Sequence, residues 1–355
     1  MDLLEAASRL AQDRRLVDCD ASGFDFSSLG AEQRDFSGCH FERVKLNQAN
    51  FSGCQLVSSV WQDCDLGSSS LATANLIGCE MHTVNLQGAQ LGGAVASGVS
   101  WHHVSLNSAQ AQGVDFSGGF FSLCDFTEAN LSGASLVKVD LHGCKVLATD
   151  FSNADASRLT AIDLDFSGAK FDRTKLVQAY LKRGQFRAQS LANSDLTMAI
   201  FDNADLGMTL FEGATLDRTS FVGAKLQGAH FAGVRGQYLA LQGADLFEAD
   251  LAGAQFEMVD ASGANFTGVR AKGSAWMLCV LTKIIARRGQ FGGAQMLDCD
   301  LSHANLSGAD FSQVNLAGSN VHCVIDSATR WDGAKKTKAR PTDKALAAAE
   351  CWQAA

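Results

Sequence analysis

Stepping by five from Leu16 to Val321 visits 62 positions, of which 26 are Leu, 19 are Phe and three are Trp (Trp61, Trp101, Trp276). The whole chain holds 22 Phe, so placing 19 of them on one residue in five is a register and not an effect of composition. Two residues before each of these centres a second signal runs in phase: 53 of the 62 positions carry Ala, Cys, Val, Ser, Thr or Gly. Nine of the eleven cysteines fall there (Cys19, Cys39, Cys54, Cys64, Cys79, Cys124, Cys144, Cys279, Cys299) and read as compact buried hydrophobes, not as a disulfide framework.

A period of five excludes the common ways of burying apolar surface. Every fifth residue travels all the way round an α-helix and leaves no face to bury, and it breaks the two-residue alternation of a half-buried strand. A chain that turns a corner in every repeat solves the problem, because the large centre and the small residue before it then point inward while the other three face solvent. Glycine gathers two residues after the centre (Gly38, Gly53, Gly133, Gly168, Gly223, Gly243, Gly308), where a tight turn needs positive φ.

Stretches such as Ala129-Asn130-Leu131-Ser132-Gly133, Ala204-Asp205-Leu206, Ala304-Asn305-Leu306-Ser307-Gly308 and Ala309-Asp310-Phe311 resemble the A-(D/N)-L-x-x signature of pentapeptide-repeat proteins. The resemblance spans residues 16–326 and is weakest before residue 36, where Arg14, Phe24, Leu29 and Arg34 occupy small positions. It implies an all-β fold, a right-handed quadrilateral parallel β-helix with four repeats per coil. The 62 repeats then make about fifteen coils, and at ~4.8 Å per strand spacing a rod of roughly 75 Å.

The rest of the chain is read around that array. The single proline (Pro341) and 19% charged residues fit neither a disordered nor a collagen-like chain, and no apolar run reaches the ~20 residues of a membrane helix. The opening Met-Asp-Leu-Leu-Glu lacks the basic and apolar regions of a signal peptide, so a cytoplasmic location is expected. Open strand ends invite aggregation unless covered. Residues 1–15, with Leu3, Ala7, Leu10 and Ala11 on one side, are expected to form an N-terminal capping helix. Residues 327–355 are expected to be a basic linker (Lys335 to Arg340) followed by a C-terminal helix with Thr342 as N-cap and Leu346, Ala349 and Trp352 behind it. Leu346 and Trp352 need cover, supplied either by their own coil or by a second copy, which would make a homodimer through a terminal helix.

Residues twenty apart lie one above another, so surface columns can be read directly. Met258 and Leu278 share one column and Met277 and Leu297 the next, with Val280 and Ile285 round the corner and Arg287 and Arg288 beside them. These eight residues are the candidate partner-binding set, since contiguous exposed apolar side chains mark contact sites; the alternative is a local bulge at residues 276–290 that folds them inward. His82, His102, His142 and His322 share a column, with His40, His103 and His303 on the same face, but no flanking carboxylate completes a ligand set, so no metal is expected. Charge is banded, with a net +5 over residues 168–190 and −7 over residues 195–266.

Catalysis is not expected. The cysteines occupy inward positions, there is no HExxH or phosphate-binding loop, and a filled coil offers no cleft; no cofactor is implied. Some pentapeptide-repeat proteins mimic duplex DNA and bind gyrase, which is the alternative function. The coil region here carries −12, against about 44 charges on duplex DNA of that length at one per ~1.7 Å. The favoured reading is a non-enzymatic protein-protein interaction scaffold, with no direct nucleic-acid and no membrane partner. By analogy it resembles bacterial members that accompany type VI secretion clusters or act as translocated effectors.

Overall fold

The computed structural model describes residues 20, 22 and 31–351. The chain divides into two compact units, Met1–Gly184 and Gln185–Ala355. The first carries β1 (His40–Glu42), β2 (Val60–Gln62), β3 (Glu80–His82), β4 (Ser100–His102), β5 (Phe120–Ser122) and β6 (Asp140–His142) as one parallel ladder. The second carries β7 (Arg235–Gln237), β8 (Gln255–Glu257), β9 (Ala275–Met277) and β10 (Gln295–Leu297) as another, followed by helix α1 (Lys344–Glu350). Within each unit every pairing steps by twenty residues, as in Phe41↔Trp61 and Phe256↔Trp276. Isolated bridges extend these ladders and line the other walls with the same step, from Asp20↔His40 to Thr160↔Tyr180 in the first unit and from Gln185↔Asp205 to Asn320↔Arg340 in the second. Each unit is thus a right-handed parallel β-helix of four-sided coils. No helix among the described residues is long and apolar enough to cross a membrane.

The corners explain the repeat. Every fifth residue from Gln33 to Lys338 has φ between about +50° and +76°, whether or not it is glycine. At most corners the amide three residues after the centre closes the turn on the centre's carbonyl, as Cys39 N–H does on Phe36 O at 3.2 Å. The Asp or Asn before the centre steadies the same turn: Asp150 Oδ1 accepts the Ser152 amide at 2.9 Å and Asn130 Oδ1 the Ser132 amide at 3.0 Å. That local bond is the physical content of the A-(D/N)-L-x-x pattern. Glycine is needed most where neighbours crowd the turn; a Cβ on Gly213 or on Gly223 would lie 2.6 Å from Asn193 Oδ1 or Asn203 Oδ1, respectively.

Inside, centres stack on centres one coil away. Phe41 lies on Trp61 with ring centroids 3.9 Å apart, Phe151 on Phe171 at 5.2 Å, and Phe211 on Phe231 at 4.4 Å. Burying an indole also requires a partner for its N–H. Trp61 Nε1 donates to Ser59 Oγ at 2.8 Å and Trp276 Nε1 to Ser274 Oγ at 2.9 Å, the serine being the small residue of the same repeat. Trp101 has Val99 in that place, and its Nε1 is buried without a hydrogen bond. The small-position thiols donate inward to carbonyls, as Cys124 Sγ does to Trp101 O at 3.4 Å.

Two expectations about the C-terminus are corrected, and a third, the capping helix at residues 1–15, lies outside the described residues. The basic segment is wall, not linker: Arg330, Lys335 and Arg340 bridge Asp310, Asn315 and Asn320. It stays in register because the Trp331 ring packs tilted against Phe311 at 5.0 Å and small Ala334 and Ala339 follow in phase. Asp326 and Lys336 take the other centres and dress the end of the core. Trp331 Nε1 donates to Asp326 Oδ2 at 3.2 Å, and Lys336 Nζ sits 3.8 Å over the indole. The N-cap of α1 is Asp343, whose Oδ1 accepts the Ala345 and Leu346 amides at 2.9 and 3.1 Å. Thr342 instead accepts the Cys323 amide on Oγ1 at 3.0 Å, in place of the carbonyl a further coil would supply. Pro341 stands at the next centre and has no N–H to offer one. No residue of α1 is buried, and Leu346 is exposed; Trp352 lies outside the described residues.

Candidate interaction surface

The turn geometry decides where the apolar candidates point. Residues 276–290 keep the register of their neighbours, with Trp276↔Met296, Val280↔Asp300 and Ile285↔Asn305 in phase, so there is no bulge. The centre Trp276 goes in, and the two residues after it, Met277 and Leu278, go out, 44% and 46% exposed. Met277 lies directly against Leu297 across β9 and β10, and against Glu257 across β9 and β8. The Met258 amide donates to Met277 O at 2.9 Å and the Leu278 amide to Leu297 O at 3.0 Å, which fixes both columns at adjacent rungs. Met258, Met277, Leu278 and Leu297 therefore form one outward cluster, three of them exposed and Leu297 half-buried.

The remaining candidates stand apart from that cluster. Val280 is exposed between Asp260 and Asp300 on the next wall, and Ile285 between Asn265 and Asn305 on the wall after it. Ile285 shares a shallow depression with Arg287, Arg288, Asn265 and Thr267. Sequence reasoning missed Tyr238, which is exposed and extends the Met258 and Leu278 column by one rung, with the Arg218 guanidinium 5.3 Å over its ring. The twenty-residue step would have found it. A groove along β7 to β9, lined by Asp217, Arg235, Gln237, Glu257 and Met277, gives the apolar cluster a polar border of mixed charge.

The charge bands are weaker features than their sums. Lys170, Lys175 and Arg183 reach Asp150, Asp155 and Asp163, one coil earlier, at 3.5, 3.7 and 2.6 Å. Asp150 and Asp155 are held below the usual carboxylate range: burial opposes this, but the hydrogen bonds from Ser152 and Ser157 and the stacked lysines outweigh it. Two of the buried thiols are no better placed for chemistry, since burial pushes Cys54 up to about 11 and Cys79 up to about 12, far from a reactive thiolate.

The histidines divide into two groups. His82 and His102 stack in parallel at 5.0 Å, and Ser100 Oγ lies 3.3 Å from His102 Nε2. In the second unit His303 and His322 meet the Glu350 carboxylate at 3.3 and 3.1 Å, a residue that no column reading could supply because it arrives on α1.

A profile of pentapeptide repeats matches residues 32–60, 62–98, 85–122, 105–143, 169–207, 201–233, 240–274 and 291–324. No curated protein matches the chain. Among solved structures it is similar to trypsin-treated QnrB1, a plasmid-mediated fluoroquinolone resistance protein, at 17% identity over 61% of this chain and 91% of that one, with a TM-score of 0.32. It is also similar to HetL, a pentapeptide repeat protein involved in heterocyst differentiation regulation in the cyanobacterium Nostoc, at 18% identity over 96% and 94% of the two chains and a TM-score of 0.16. A pentapeptide repeat protein of the Arabidopsis thaliana thylakoid lumen shares 32% identity over 36% of this chain and 69% of its own, with a TM-score of 0.13.

Proposed function

Starting from the chain's membership of the pentapeptide repeat family, we propose that it is a non-enzymatic scaffold that binds another protein through the outer walls of its coils. The observation that carries this reading is the cluster of Met258, Met277, Leu278 and Leu297, which the turns force outward on adjacent rungs. A coil wall holds its side chains at fixed spacing, so little ordering entropy is lost on docking. Flexible methionines beside rigid leucines suit an apolar partner surface, and the groove of mixed charge beside them favours a polar rim on that partner. DNA mimicry toward a topoisomerase is the weaker reading, because the stacked lysines and arginines cancel part of the wall's acidity. The narrower assignment, a cytoplasmic accessory or substrate of a bacterial secretion machine, rests on resemblance, and the identity of adjacent genes tests it.

The binding surface is tested with a photo-crosslinking residue at position 277 and a control at position 162, in cells of the source organism. One dominant adduct from position 277, lost when Met258 and Leu278 are both changed to Ser, supports the proposal. Equal adducts from both positions, or an adduct that survives the double change, would overturn it.

A further inference from the structure

His322 follows the centre Val321 directly, a place in the repeat that sends side chains outward; His82 and His142 occupy the same place in theirs and are exposed. His322 is nevertheless only 5% exposed, with both ring nitrogens engaged. Nδ1 accepts the Asp343 amide at 3.1 Å, while Nε2 faces Glu350 Oε2 at 3.1 Å and Cys323 Sγ at 3.2 Å. His303 Nε2 reaches the same carboxylate oxygen at 3.3 Å. Ligand atoms of His303, His322 and Glu350 all lie within 4.8 Å of one another. A zinc ion bonded at about 2.0–2.1 Å to nitrogen and oxygen holds neighbouring ligands about 3.3 Å apart in a tetrahedron. The two contacts to the Glu350 oxygen, at 3.3 and 3.1 Å, have the length of such edges.

We propose that His303, His322 and Glu350 form a three-ligand binding site for a zinc-class transition-metal ion, with solvent completing the tetrahedron, that fastens α1 to the end of the second unit. Two imidazoles and one carboxylate suit Zn²⁺ or Co²⁺, whereas Mg²⁺ and Ca²⁺ require an all-oxygen shell. The helix gives a second argument. Its seven residues fall short of the ~12–15 that hold an isolated helix together, and it buries none of them. Apart from its cap, it is tied to the coil by Glu350, through His303 and His322. A metal at that carboxylate supplies the docking energy that packing does not.

The proton accounting makes the site distinctive. With Nδ1 accepting an amide, the ring proton of metal-free His322 sits on Nε2 and points at Glu350. Metal at Nε2 moves that proton to Nδ1 and turns the Asp343 amide away, so uptake is felt at the first turn of α1.

The test uses the full chain after chelator treatment, titrated with Zn²⁺ by calorimetry and with Co²⁺ by visible absorption. One equivalent is expected, with tetrahedral cobalt bands and slower amide exchange over residues 344–350. Glu350→Gln and His303→Ala, both on part-exposed side chains clear of the core, are each expected to weaken binding at least about tenfold with unchanged circular dichroism. His82→Ala is expected to leave it unchanged. Absence of stoichiometric uptake, octahedral cobalt spectra, or uptake that survives Glu350→Gln and His303→Ala would each overturn the site.

Discussion

Changing Ser274 to Ala isolates one hydrogen bond in an otherwise filled core. Ser274 Oγ donates to Ala271 O at 2.7 Å and accepts the Trp276 indole N–H at 2.9 Å, both fully buried. Ala271 O keeps a second donor, the Ser274 amide at 3.2 Å, so only the indole N–H is orphaned. A buried donor left without a partner costs about 1–3 kcal/mol. Coils exchange largely with their neighbours, so the loss concentrates in the coils around residue 276 and does not spread over one global transition. At ~1.4 kcal/mol per decade, amides of residues 271–290 are expected to exchange with deuterium roughly 5- to 150-fold faster through opening, while distant coils are unaffected. Ser59→Ala should reproduce the effect around Trp61. Val99→Ser should come out within about 1 kcal/mol of neutral, since the hydrogen bond it gives Trp101 offsets the lost methyl burial. Exchange in Ser274→Ala within twofold of the parent would refute the reasoning.

Further outcomes follow from other parts of the structure. Gly213→Ala places a methyl against Asn193 in a left-handed turn and should cost about 1–2 kcal/mol by urea unfolding, more than Gly263→Ala, where the space is open. Asp310 is held below its ordinary 3.8 by the hydroxyl and amide of Ser312, and Arg330 adds to this. Its contribution is therefore complete above that value and lost as pH falls through the lower folded one, so Asp310→Asn should destabilise at neutral pH and become silent in strong acid, read as urea midpoints across pH. In a native alkylation time course followed by peptide mass spectrometry, exposed Cys351 should react first, whereas Cys54 and Cys79 should stay protected until unfolding. Changing Met277 and Leu278 together to Ser removes side chains with just under half their surface exposed; taking ~1.5–3 kcal/mol for full burial of each, the partner's affinity should fall roughly 10- to 100-fold by titration, with little change in stability.

What was legible in the sequence is what repeats. Each wall demands one large and one small inward residue and a corner two residues past the centre, so the positions of Phe41, Cys124 and Met277 follow from their phase alone. The charge banding misled because it was summed along the chain, whereas Asp150, Asp155 and Asp163, which answer the basic band, precede it by one coil. The array's end misled for a different reason. Asp326 and Lys336 break the apolar pattern, yet they lie where the core stops and a polar centre costs little, so the coil continues through Arg340. Glu350 was out of reach altogether, because its place is set by the Asp343 cap and the direction of α1, neither of which has a period.

The central claim is that the turn at Trp276 keeps its phase and turns Met277 to solvent while its neighbours in the core stay dry. Hydroxyl-radical footprinting reads this on methionines within one sample. Met258 and Met277 should oxidise quickly while Met81 and Met296, both at 0% exposure, stay protected until the coils open. Protection of Met277 together with oxidation of Met296 would mean that the wall is turned the other way, and the proposed surface would not exist.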